Sequence, residues 1–183
     1  MLRTSLAAFT IGAIVFAASG CGGSSKTGTM TTAVTNTVTN TTATVATLPT
    51  TTAVKLATGR RLARNAWIAD GDAICARANK KVSANHVRHT ADYGRILPQI
   101  SIYYETESTE LSKLVPPASM TGDWTQIVNN LQILGAYLGR VGQYVQENNL
   151  NAARPLFHTA LNIQQQLIAI AKHDGFKRCT APT

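Results

Sequence analysis

Three cysteines, Cys21, Cys75 and Cys179, are the residues of this sequence best suited to covalent chemistry. Their number is odd, so at most one pair can close a disulfide within the chain and one thiol is left for another use. Histidines and carboxylates are scarce, and no glutamate is followed three residues later by histidine, which excludes the paired Glu-x-x-His motifs of di-iron bundles. The run NHVRHTAD spaces His86, His89 and Asp92 three apart, so that nitrogen and oxygen donors could share one helical face. It lacks a convincing fourth ligand and reads as polar linker, and no metal or cofactor is expected. No nucleophile elbow, phosphate loop or zinc-protease motif occurs. Hence no catalytic residue is assigned, and an enzyme is not expected.

The elements that position these residues divide at about residue 58. The opening segment MLRTSLAAFTIGAIVFAASGC carries one early cation, Arg3, then an apolar run from Leu6 to Ala18 and the small residues Ser19 and Gly20. That is the layout of a secretory signal over residues 1–20, and the run is too short for a preferred membrane span. Because Ala18, Ser19, Gly20 and Cys21 are followed by small, polar residues, the segment resembles a bacterial lipoprotein signal, departing from it at Ala18, where leucine is preferred. The resemblance implies that Cys21 is lipidated and becomes the new N-terminus. Several acyl chains anchor far more firmly than one. The mature protein is then expected on the extracytoplasmic face of the cell membrane, where disulfides form and persist.

Residues 21–58 read as a lipid-anchored linker. Between Lys26 and Thr58 there are fifteen threonines and no acidic or aromatic residue. Such a composition buries too little surface to offset its ordering entropy, so a flexible stalk is expected. Dense threonine also permits O-glycosylation.

Residues 59–183 form the expected folded domain. Apolar residues recur at three and four from Asn65 onward, the helical period. Four helices are predicted: Asn65 to Asn85; one starting near Pro98 and stopping at VPP; one from a cap at Asp123 to Val145; and Ala152 to Asp174, closed by Gly175. Short connections favour antiparallel neighbours, so the expected fold is all-α, an up-down-up-down four-helix bundle. In that topology the fourth helix ends beside the start of the first. The five residues from Asp174 to Cys179 span about 16 Å when extended, and ten helical residues rise about 15 Å, so Cys179 can turn back to Cys75. A bond between them would close a loop of about a hundred residues; two separate thiols are the alternative.

WIADGDAICARAN near the start of the domain, LSKLVPP before its middle loop and GFKRC at its end resemble a broad set of uncharacterised secreted lipoproteins from high-GC Gram-positive bacteria. The resemblance covers most of residues 65–179. Gly71 departs from it, an alanine-like residue being expected there. It implies a helical domain with paired cysteines on an anchor, and no established activity.

Two polar residues fall on apolar stripes. Glu107 lies between Tyr103 and Leu111, and Gln164 between Ala160 and Leu167. Near mid-helix, both should sit at about the height of Cys75 and Gly135. A buried carboxylate needs a partner or a cavity, so a satisfied structural hydrogen bond or a Glu107 turned to the rim is the first expectation, and a small polar pocket at Glu107 and Gln164 is the alternative. Gly135, Gly139 and Gly142 suggest close approach of a neighbouring helix. The net charge is +8, and Arg60, Arg61, Arg64, Arg77, Lys80, Lys81, Arg88 and Arg95 gather around the first helix. A merely solvated basic face is the first reading; an envelope protein, anionic headgroups or wall polymers would be compatible partners, and nucleic acid is disfavoured by location and by missing interleaved aromatics. The expected role is a binding or interaction module at the cell envelope, the alternative a membrane-proximal spacer without ligand. A binder should show a cavity reaching Glu107 or Gln164, and a spacer a filled core.

Overall fold

The structure, a computed structural model, describes residues 53–179. The expected signal, Cys21 and the linker as far as residue 52 lie outside the described residues. The described residues form four helices, α1 (Arg64–Ser83), α2 (Thr90–Leu111), α3 (Thr121–Gln146) and α4 (Leu150–Asp174), with one 3-10 turn, Ala118–Met120, before α3. No strand occurs among the described residues, and no described helix is long and apolar enough to cross a membrane.

Side-chain pairings fix the topology. Arg77 meets Glu110 and Lys81 lies over Tyr103, so α1 and α2 run antiparallel. The seal between α2 and α3 runs from Gly94 beside Gln146, through Gly142 beside Pro98, to Ser108, whose hydroxyl donates to the Val128 carbonyl. His173 of α4 reaches Asp123 of α3, and Tyr93 of α2 packs edge-on to Phe157 of α4. The bundle is up-down-up-down.

Helix α2 starts at Thr90, not near Pro98, and Pro98 lies inside it. A proline inside a helix removes a donor and crowds the carbonyl four residues back. Here that carbonyl belongs to Gly94 and accepts a hydrogen bond from the Gln146 side chain of α3 instead. Upstream, the Asp92 carboxylate accepts the backbone N–H groups of Arg88 and His89 at 2.8 and 2.9 Å and closes the first turn. Helix α3 starts at Thr121, and Asp123 is not its cap but lies in its first turn, where the helix dipole favours negative charge. Asn149 caps α4 by accepting the Ala152 N–H. At its other end Gly175 takes φ 94°, the left-handed conformation glycine adopts without penalty. Gly175 and Phe176 then donate to the Lys172 and Ala171 carbonyls, the paired bonds of a Schellman ending.

The packed domain begins before residue 59. Residues 53–57 run without helix beside the bundle, with Val54 and Leu56 half-buried and Lys55 and Ala57 exposed, an alternation that faces every second side chain to the core, before a bend at Gly59 and Arg60. Val54 N–H donates to Asn129, Ala57 N–H to the Ser112 carbonyl and Leu62 N–H to the Val115 carbonyl. Composition placed this boundary at residue 58 because the strap shares the small, threonine-flanked character of the segment before it.

Candidate functional site: a polar layer and an acidic end

The C-terminal tail holds α1. Cys179 bonds Cys75 with their Cα atoms 5.0 Å apart. Phe176 stacks on Trp124 of α3 at 5.5 Å and meets Trp67 of α1 edge-on at 4.7 Å, while the two tryptophans pack edge-on to each other. The Asp72 carboxylate accepts the N–H groups of Lys177 and Arg178, and Asn79 donates to the Arg178 carbonyl. A Cβ on Gly71 would lie 2.6 Å from the Phe176 ring, and that ring is clamped between two indoles, so the position needs glycine. The DAIC and GF..C segments are two halves of one contact.

Within the bundle the polar layer is assembled. Glu107 is buried, with Tyr104 and Leu111 as its buried neighbours; Tyr103 is only half-buried and sits under Lys81. A cavity of about 20 Å³ is lined by Glu107, Gln164, Asn79, Tyr104 and Cys179, with leucines of α3 beneath. That volume matches a single water and no larger ligand. One carboxylate oxygen of Glu107, Oε2, is buried with no hydrogen-bond partner. Burial first, and the nearby Glu110 charge second, push its pKa up to about 8. At neutral pH Glu107 is therefore mostly a neutral carboxylic acid, able to donate as well as accept. Gly135 lies at this height too, with a Cβ position 3.0 Å from the Ser101 carbonyl of α2.

A second cluster joins the start of α3 to the end of α4. His173 Nδ1 lies 3.2 Å from Asp174 Oδ1 and 3.5 Å from Asp123 Oδ2. Asp174 is fully buried, and its other oxygen, Oδ2, has no partner. Burial pushes the Asp174 carboxyl up, Asp123 adds to the rise, and His173 opposes it. Fifty residues separate the two acids in sequence, and neither periodicity nor spacing signals their meeting. The sequence pattern offers Asp123 only as a helix cap, whereas it lies in the first turn of α3 beside His173.

His86, His89 and Asp92 do not form such a group; Asp92 is committed to backbone N–H groups, which hold its pKa below the usual carboxylate range. Of the basic set, Arg61 donates to the Pro116 carbonyl and Thr121, Arg64 to the Asp174 carbonyl, and Arg77 pairs with Glu110 at 2.7 Å. Arg60, Lys80, Lys81, Arg88 and Arg95 are exposed, and the tail brings Lys177 and Arg178 alongside α1. No known protein family, curated protein or solved structure matches the chain.

Proposed function

We propose that the protein is a lipid-anchored, extracytoplasmic helical module that acts at the cell envelope through its surface, not as an enzyme. The carrying observation is the Cys75–Cys179 bond, because a disulfide joining the tail to α1 belongs in an oxidising compartment and agrees with an exported chain. Cys21 is the anchor in this reading, and the lipoproteins of high-GC Gram-positive bacteria are its relatives by resemblance. The face offered to a partner is the edge of α1 and the tail, where Lys80, Lys81 and Arg178 are exposed and attract an anionic envelope component. Nucleic acid has no part in this reading.

The small cavity favours a second reading, a spacer between membrane and wall, since a space fit for one water accepts no metabolite. Membrane fractionation of cells making the native chain and Cys21→Ala tests the anchor: release of the variant into the medium is expected, and unchanged membrane retention would overturn it. In-cell cross-linking with native and Lys80→Glu/Lys81→Glu proteins separates the two roles. A specific adduct lost in the variant supports an interaction module, whereas no specific adduct to the native chain supports the spacer.

A further inference from the structure

We propose that Asp123, His173 and Asp174 bind a divalent transition-metal cation, with Zn²⁺ the best match to the donor set. One imidazole nitrogen and two carboxylate oxygens, all within 4.8 Å of one another, converge from two helices. Zinc takes nitrogen at about 2.0–2.1 Å and carboxylate oxygen at about 2.0–2.2 Å, so ligands at neighbouring corners of a tetrahedron stand roughly 3.4 Å apart. The observed 3.2 and 3.5 Å from His173 Nδ1 to the two carboxylates bracket that edge.

The independent observation is Asp174. Its side chain is 0% exposed, and Oδ2 has no partner, although an unpaired buried carboxylate oxygen is costly. The Arg64 guanidinium donates to the Asp174 main-chain carbonyl, not to its carboxylate. Two acids and a single histidine repel more than they attract once both acids ionise, and a dication reverses that balance. The C-terminal end of α4 also favours positive charge. His173 and Asp123 are open to solvent, with side-chain exposures of 76% and 39%, which gives an entry path and a fourth position for water.

Isothermal titration of the full-length, tag-free chain, stripped with chelator and held in detergent, with ZnCl₂ tests the site. One Zn²⁺ per chain is expected, with at least tenfold weaker binding in His173→Ala, a solvent-facing substitution that should leave the helical circular dichroism unchanged. Asp123→Asn should weaken it similarly, and His86→Ala should not. Failure of the native chain to bind Zn²⁺, or binding as tight in the Asp123→Asn/His173→Ala double variant as in the native chain, would overturn the assignment. If single variants lose helicity, a Zn²⁺-dependent rise in the native Tm that the conservative His173→Gln lacks decides in its favour; an equal rise in both decides against.

Discussion

Helices α1 and α3 belong to one bundle but are held in opposite ways. Helix α3 is buried on a broad stripe from Trp124 to Tyr144 and lets α2 approach so closely that a Cβ on Gly142 would lie 2.5 Å from the Pro98 ring. Helix α1 buries a narrow stripe whose only large members are Trp67, Ile74 and Val82, and its bonds to the rest run largely through the tail: a disulfide, Phe176, and the hydrogen bonds of Asp72 and Asn79. Close-packed helices need no staple. A helix with a thin apolar face does, and the C-terminal residues supply it.

The largest effect should come from the staple. Cys75→Ser/Cys179→Ser removes the closure of a loop of 104 residues, worth up to about 4.7 kcal/mol in the chain-entropy model. Urea denaturation should show the loss, and hydrogen exchange should show α1 opening ahead of α2 and α3; simultaneous opening of all helices would erase the distinction between the two regions. Next comes Phe176→Ala, expected to cost about 3–5 kcal/mol, as for other buried aromatics. A loss below 1 kcal/mol would mean that the tail's grip is the disulfide alone.

Glu107 sits at the seam between the two regions, and its effect depends on pH. The fold favours the protonated carboxyl, so the folded chain binds more protons than the unfolded one between the ordinary glutamate value of 4.5 and about 8. Stability therefore falls as pH rises across that window, by at most about 4–5 kcal/mol. Glu107→Gln should flatten the profile and be the more stable form at pH 9, measured by urea midpoints. A native profile that is flat from pH 5 to 9 would show the carboxyl to be solvated or paired. The smallest effect is Gly142→Ala, about 1–3 kcal/mol from overpacking against a rigid proline ring. A neutral result there would mean the α2–α3 approach is looser than the backbone spacing requires.

Much of this was legible in the residue pattern. The stripes of the first, third and fourth helices, the Gly175 ending and the pairing of Cys75 with Cys179 all rest on periodicity, chain reach and capping, and the structure has them. Wheel positions put Glu107 and Gln164 at one height but favour a satisfied hydrogen bond there; Glu107 Oε2 has no partner, and the two residues line a space the size of a water. The start of α2 was not legible, because proline's local penalty is answered by Gln146 from another helix. Gly71 read as a departure for the same kind of reason: its constraint is a phenylalanine a hundred residues away.

Local chemistry by itself determined that the described residues make four amphipathic helices and which sulfur atoms can meet, since both follow from periods and reach along the backbone. Tertiary structure alone decided that Asp123 and the His173–Asp174 pair share one corner and that the tail carries α1. It also decided that Pro98 can lie within a helix. Each of these depends on which surfaces antiparallel packing brings into contact, and a distance through space has no counterpart in the order of residues.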